Sequence, residues 1–193
     1  QMSMTYDIAK ALTANGFAKT GYTFTRWNTK ADGSGSSYTN GQSVKNLTAT
    51  DGATITLYAQ WTANTYTIKF AGNGSTSGST AQMSMTYDIA KALTANGFAR
   101  TGYSFNGWNT KADGSGTSYS NKQSVKNLTS TNGGTVTLYA KWKINQYTLT
   151  VKPNGGTWNS TSSNSTFTQN YNSTKTIANP TAPAGYKVTF NGN

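Results

Sequence analysis

The chain lacks cysteine, histidine and glutamate altogether. Without cysteine there is no disulfide framework and no thiolate metal site. The cysteine content therefore does not indicate whether the chain resides in an oxidising or a reducing compartment. Without histidine or cysteine, neither a Ser–His–Asp triad nor a Cys–His pair can be built. The only acids are five aspartates, and none forms a pair suited to acid–base catalysis. We therefore expect no enzymatic activity, no cofactor and no metal site.

Long apolar runs are also missing. No stretch approaches the roughly 20 apolar residues that a membrane-spanning helix needs, so we expect no membrane insertion in this segment. No signal peptide is visible, and export would need a signal outside the segment. The abundance of threonine, serine, asparagine and glycine is typical of extracellular β-proteins, and it favours a location outside the cell or on its surface.

Acidic charge is scarce, and the formal net charge is +11. Such an excess attracts polyanions, which include anionic glycans and wall polymers. The lysines are spread singly along the chain, however, and isolated lysines are typical of a solvated surface. Charge alone therefore predicts no specific nucleic-acid partner.

The chain contains a long internal repeat. Residues 1–64 return as residues 82–145 at an offset of 81, and 50 of the 64 positions are identical. This period is longer than the 20–50 residues of a solenoid unit, so each copy is expected to have its own small core. Serial copies provide length or multiple binding surfaces, whereas an enzyme needs one site.

The phase of the repeat predicts three units. Residues 1–64 form a first unit that lacks its opening strand, and residues 65–145 form a complete second unit. Residues 146–193 form a third unit, truncated and diverged, in which Pro180 and Pro183 argue against a regular helix. The short linkers between units predict that neighbouring units are held close together.

Alternation of apolar and polar residues predicts strands in the second unit. The pattern is present at residues 66–70, 82–87, 101–108 and 134–142, where β-branched and aromatic residues are frequent. These segments predict a mixed β-sheet as the main element of each unit.

Residues 88–97 change to a helical period. Asp88 can cap a first turn, and Ile89, Ala92 and Leu93 fall on one side at helical spacing. The sequence therefore predicts an α+β, β-rich unit in which one helix packs on a face of the sheet.

The aromatic residues have a structural and a binding interpretation. A unit this small needs aromatic area in its core, which predicts the core aromatics Tyr22, Phe24, Trp27, Trp61, Tyr103, Phe105, Trp108 and Trp142. Tyr139 and its counterpart Tyr58 are expected to face away from the core, and Lys141 and Lys143 flank Trp142. We expect these last four residues, Tyr58, Tyr139, Lys141 and Lys143, to contact a neighbouring unit or a ligand.

One loop has the opening of a calcium-binding motif. Residues 113–116 read Asp-Gly-Ser-Gly, but a calcium loop needs further carboxylate ligands nearby, and none follows. An ordinary turn is the expected structure.

The order of motifs resembles the internalin-type B repeat, also called the Listeria–Bacteroides repeat. The match rests on Gly102, Tyr103, Phe105, Trp108, Asn109, Thr110, Asp113, Gly114, Gly116, Tyr119, Leu138, Tyr139, Ala140 and Trp142. The first copy matches as well, except that Arg26 stands at the position of Gly107. Residues 85–99 depart from the shorter, proline-containing stretch that we associate with the family.

The resemblance implies tandem β-grasp-like (ubiquitin-like) units arranged as an elongated array on a bacterial surface, without catalysis. The leading hypothesis is therefore a stalk, fibre or adhesin whose partners are neighbouring units or other copies of the chain. One alternative is a module that binds glycans or anionic wall polymers. Another is a filament subunit in which a strand of one chain completes a unit of the next.

Overall fold

The structure, a computed structural model, describes residues 1–157, 160–179 and 181–187, and these ranges contain β-strands but no helix. The first copy contains β1 (Lys10–Ala11), β2 (Tyr22–Asn28), β3 (Ser37–Tyr38), β4 (Ser43–Val44) and β5 (Tyr58–Ala63). The second contains β6 (Thr65–Ala71), β7 (Ser77–Gly78), β8 (Met83–Thr86), β9 (Lys91–Ala92), β10 (Phe98–Ala99), β11 (Tyr103–Asn109), β12 (Ser118–Tyr119), β13 (Ser124–Val125) and β14 (Thr135–Ile144). The last strands are β15 (Gln146–Val151) and β16 (Ser165–Asn170). Pro180 and residues 188–193 of the predicted third unit lie outside the described residues.

The second copy is built on a five-stranded mixed sheet with the order β12-β11-β14-β6-β8. Its first and last strands, β6 and β14, pair in parallel at the centre, with Thr67 opposite Thr135 and Ala71 opposite Tyr139. The other pairings in this sheet are antiparallel. Two small ladders, β7 with β10 and β9 with β13, lie outside the main sheet.

The alternating residues of β6 and β8 form one side of the core. Tyr66 and Ile68 face inward from β6, and Met83 and Met85 face inward from β8. Trp108 completes this cluster together with neighbouring apolar side chains from β14. Each fully buried side chain of this size contributes roughly 1.5–3 kcal/mol through removal from water. The strands predicted from alternation are therefore confirmed in the second copy.

A β-bulge in β11 aims two aromatic rings at the same core. The register of β11 against β14 shifts between Phe105 and Trp108, and Gly107 lies there with φ +98°. In an unbroken strand, residues three apart face opposite sides of the sheet. The bulge places both rings on one side, where their centroids lie 4.9 Å apart.

The predicted helix at residues 88–97 is wrong, and so is the α+β label. Asp88 has φ +63°, which is a left-handed conformation and not a helical cap. The backbone N–H of Asp88 donates to the Asn127 side chain, and that of Leu93 donates to the Gln123 carbonyl oxygen. Lys91–Ala92 is strand β9. Bonds to residues 121–127 thus replace the i to i−4 bonds of a helix, and the copy is β-rich without a helix among the described residues.

The first copy has nearly the same sequence but fewer paired strands. Its strand β5 begins at Tyr58, whereas the corresponding β14 begins four positions earlier in the repeat, at Thr135. Met2 and Met4 lie outside any strand and are half-buried, while their counterparts Met83 and Met85 are buried in β8. In the second copy both segments pair with β6. β6 is therefore the strand that orders its two neighbours, β14 and β8.

After the second copy, β15 and β16 form an antiparallel hairpin, in which Tyr147 lies opposite Gln169 and Leu149 opposite Phe167. β15 follows β14 after one residue, as β6 follows β5. The hairpin therefore begins at the position in the repeat at which β6 begins in the second copy.

Truncating equivalent methionines should have unequal effects in the two copies. We expect Met85→Ala to lower the free energy of unfolding of the second copy by about 2–5 kcal/mol, the range for a buried large-to-small change. Met4→Ala should cost clearly less in the first copy, because Met4 is half-exposed and unpaired. Hydrogen exchange of backbone amides in each copy measures both effects, and equal losses would contradict the role given to β6.

Candidate interface between the repeat copies

Asn64 is the single residue between β5 and β6, and it bonds to both copies. Its backbone N–H donates to the Gly21 carbonyl oxygen (2.8 Å), and its side-chain oxygen accepts from the Thr23 hydroxyl (2.6 Å). Its carbonyl oxygen accepts from the Tyr87 N–H (2.8 Å), and its side-chain N–H donates to the Ser130 carbonyl oxygen (2.7 Å). Because Asn64 is buried and these groups are paired, it fixes the path of the chain between the copies.

An aromatic ring of the second copy lies directly on a glycine of the first. Gly21 has φ +76°, and a Cβ atom there would overlap the Tyr87 ring. Tyr22 contacts the same ring edge-on at a centroid distance of 5.9 Å, and the Lys19 ammonium lies 3.9 Å from the centre of the Tyr22 ring. Glycine is thus required at position 21 both for its backbone conformation and for the space taken by Tyr87.

A charged hydrogen bond completes the contact. The Tyr22 hydroxyl donates to a carboxylate oxygen of Asp88 at 2.9 Å, and the Asn127 side chain donates to the other carboxylate oxygen at 2.7 Å. The Asn127 bond, the Tyr22 bond and the nearby Lys126 and Lys19 charges lower the pKa of Asp88. The bond to Asp88 raises the pKa of the Tyr22 hydroxyl, because losing its proton would remove that bond. We call the set of Gly21, Tyr22, Asn64, Tyr87 and Asp88 the first junction.

The same pattern recurs one repeat later. Asn145 donates its backbone N–H to the Gly102 carbonyl oxygen (2.9 Å) and accepts from the Tyr171 N–H (2.8 Å). Its side-chain oxygen accepts from the Ser104 hydroxyl at 2.6 Å. Gly102 has φ +76°, and the Tyr171 ring occupies the space where its Cβ would lie. We call Gly102, Ser104, Asn145 and Tyr171 the second junction. Here Asn172 follows the tyrosine, so the carboxylate of the first junction is replaced by an amide.

The four residues predicted to contact a neighbouring unit or a ligand lie on β5 and β14. Tyr58 is 42% exposed and pairs with Asn28 across the sheet of the first copy, and Tyr139 is half-buried between β11 and β6. Lys141 donates to the Ser118 hydroxyl at 3.1 Å, within its own copy. Lys143 is exposed on β14. In the ladder of β11 with β14, Lys143 pairs with Ser104 of the second junction. That the four residues contact a neighbouring unit or a ligand stays a prediction.

Five of the eight predicted core aromatics belong to the two core clusters, and Tyr22, Trp61 and Tyr103 lie outside both. Phe24 packs edge-on against Trp27 and Trp61 in the first copy. The equivalent contacts in the second copy are those of Phe105 with Trp108 and Trp142. Tyr22 belongs to the first junction, and the Arg100 guanidinium lies 4.0 Å from the centre of the Tyr103 ring.

The Asp113 loop is a turn held by its own side chains. Asp113 accepts from the Ser115 N–H at 2.9 Å, and this bond lowers the pKa of its carboxyl. The Asn109 side chain bonds to the carbonyl oxygens of Gly114 and Gly116. Within the described ranges, no group of three or more His, Cys, Asp or Glu residues is placed to hold a metal ion.

Sequence reasoning missed the junctions, although the repeat contains a clue to them. Positions 62 and 63 differ from positions 143 and 144, whereas the next residue is asparagine in both linkers. An unchanged residue in a segment that otherwise varies pointed to Asn64 and Asn145. Periodicity cannot find such residues because linkers have no period.

Comparison with known proteins finds two copies of one repeat family in the chain. The family model of the Listeria–Bacteroides repeat domain matches residues 1–60 and 66–141. A protein of Evansella cellulosilytica named "Putative Gly-rich membrane protein" is 39% identical over 144 residues, which cover 72% of this chain and 16% of that protein. Another from the same organism, named "Putative membrane protein", is 35% identical over 98 residues, or 49% of this chain and 14% of that protein. No solved structure gives a significant match.

The chain therefore spans less than a fifth of the length of these two relatives. Within the residues that the structure describes, no helix has both the length and the apolar character needed to span a bilayer.

Replacing Tyr22 with phenylalanine should raise the pKa of Asp88 without restoring its ordinary value, because the Asn127 bond remains. A carboxyl whose pKa is lowered in the folded state stabilises that state at neutral pH. The stabilisation is lost as pH falls from the ordinary aspartate range through the folded value. In Tyr22→Phe this stabilisation should therefore be smaller, and its loss should start in the same ordinary aspartate range but be complete at a higher pH. NMR titration of the Asp88 carboxyl measures the shift, with Asp113 as the internal control. Identical Asp88 titrations in both proteins would contradict the bond.

Adding a methyl group at position 21 should open the first junction. Both Gly21→Ala and Gly52→Ala place alanine at positive φ, which costs about 1–2 kcal/mol, but only the Gly21 Cβ meets another residue. We expect Gly21→Ala to speed hydrogen exchange at the Asn64 and Tyr87 amides. Gly52→Ala should leave these amides unchanged. If both variants exchange alike, the Tyr87 ring does not depend on the glycine.

Proposed function

The chain belongs to the Listeria–Bacteroides repeat family, and on this premise we propose that it is a non-enzymatic stalk or fibre segment of a bacterial surface protein. The observation that carries the proposal is the recurrence of the junction. Two successive links use a glycine, an asparagine and a tyrosine in equivalent roles. A chain in which both the folded unit and the link between units recur is suited to hold its two ends at a set distance and in a set orientation.

The linkers support a semi-rigid arrangement. One residue separates β5 from β6, and one residue separates β14 from β15. A linker this short leaves few backbone torsions free, and at the first junction the linker residue is itself buried and bonded on both sides. Flexing between neighbouring units therefore has to break hydrogen bonds at Asn64 or Asn145.

Surface display is proposed from the relatives and from the composition. The two relatives carry names of membrane proteins, and a stalk is useful when one end is held at an envelope. The central parallel pair of first and last strands supports a β-grasp arrangement of each unit. The predicted boundaries at 1–64, 65–145 and 146–193 are retained as units of the array, with neighbouring units as the main partners.

Strand exchange between chains is the second candidate function. Residues 54–57 of the first copy have no ladder partner in the described chain, whereas the equivalent residues of the second copy pair with β6. In the second copy the partner strand comes from the chain segment just before the repeated part, and strand exchange requires that strand to come from another molecule. Binding of an anionic glycan or wall polymer is favoured only by the net charge of +11.

Small-angle scattering tests the stalk. A compact domain of this length has a radius of gyration of about 16 Å. We expect a clearly larger value, with a maximum dimension near the summed lengths of the units and no dependence on concentration. A value near that of a compact domain would refute the stalk, and growth with concentration would instead support strand exchange.

A further inference from the structure

The second copy receives and transmits force at opposite ends of its central strand pair. The chain enters the copy from Asn64 at Thr65, the first residue of β6, and leaves it at Ile144, the last residue of β14. Because β6 and β14 are parallel, Thr65 lies at one end of the pair and Ile144 at the other. Tension along the chain therefore pulls the two strands past each other.

The contacts between these strands resist that sliding together. The ladder runs through five paired positions, from Thr67 with Thr135 to Ala71 with Tyr139. Two further bonds extend it at the entry end, where Gly133 donates to the Thr65 carbonyl oxygen (2.8 Å) and Thr67 donates to the Gly134 carbonyl oxygen (2.9 Å). When strands are displaced lengthwise, all of these bonds are loaded at once.

Side-chain packing reinforces the ladder. Ile68 on β6 and Leu138 on β14 are both fully buried, in the same core cluster. Sliding by one residue would turn each inward side chain toward the opposite face of the sheet. The strands therefore cannot shift register in small steps, and they have to separate as a unit.

The hairpin of β15 and β16 is loaded in a different way. Gln146, where force enters, lies opposite Asn170 at the same end of the antiparallel ladder. Pulling on these two ends opens the pairs one after another, so each bond carries the load alone. The chain thus contains both a sheared and an unzipped pair of strands.

We propose that the second copy is a load-bearing element, in which the β6–β14 pair acts as a shear clamp against tension along the array. Its use in a cell depends on the stalk function proposed above, but the mechanical property is a feature of this sheet alone. Forced unfolding is governed by the unfolding rate. Tension along the array loads the whole β6–β14 ladder at once, whereas tension applied at one end opens it bond by bond. The clamp therefore resists pulling along the array more than pulling from one end.

The direction of pulling can be changed without changing the fold, because the chain has no cysteine and two introduced cysteines define the attachment points. Thr65→Cys with Lys143→Cys loads the clamp in shear. Thr65→Cys with Thr131→Cys loads the same strands from one end. All three positions are exposed, and equal thermal midpoints for both variants establish that the compared units are equally stable.

Single-molecule stretching of both variants at one pulling speed decides the question. We expect the shear pair to unfold at a several-fold higher force than the pair pulled from one end, in an event that releases up to about 270 Å of chain. Equal forces in the two directions, or a lower force in shear, would overturn the clamp. Neither result depends on the scattering experiment, so the clamp and the stalk can fail separately.

Discussion

The parallel pairing of β6 with β14 is the interaction on which the rest of the second copy depends. β6 supplies the inward residues Tyr66 and Ile68, and it orders a neighbour on each side. The first copy shows what this strand contributes, since 50 of its 64 positions are identical to those of the second. Without such a neighbour, residues 54–57 are not a strand, Met2 and Met4 remain half-exposed, and Leu57 is less buried than Leu138. Secondary structure in these segments is therefore a consequence of the sheet more than of local sequence.

This dependence explains which elements could be predicted. β6, β8, β11 and β14 alternate strongly, and a strand that packs one face on a core carries that pattern in its own residues. Residues 88–97 also carry a helical pattern, yet their amides bond to Asn121, Gln123 and Asn127 from a distant loop. Competition from distant polar groups leaves no trace in hydrophobic periodicity.

The interface was harder to predict than the fold. Tyr58 and Tyr139 are predicted as contacts because alternation turns them away from the core, and Lys141 and Lys143 because they flank Trp142, but neither property locates a junction. The junction contacts are made by residues at turns and strand ends. There a backbone carbonyl oxygen accepts a hydrogen bond, or a glycine without a Cβ atom leaves room for a tyrosine ring. Asn64 is informative only when it is compared with Asn145, because both linkers keep the asparagine while the two residues before it differ.

The junction also has a consequence for how such proteins change in length. Each 81-residue period contains both halves of the contact. Its glycine and asparagine contact the following copy, and its tyrosine contacts the preceding copy. An in-frame duplication of one period in the gene therefore reproduces a working interface without any further mutation. Unequal recombination between near-identical copies can add or remove units and leave every remaining contact matched. An array built from such periods can thus vary in length by whole periods while its junctions stay the same.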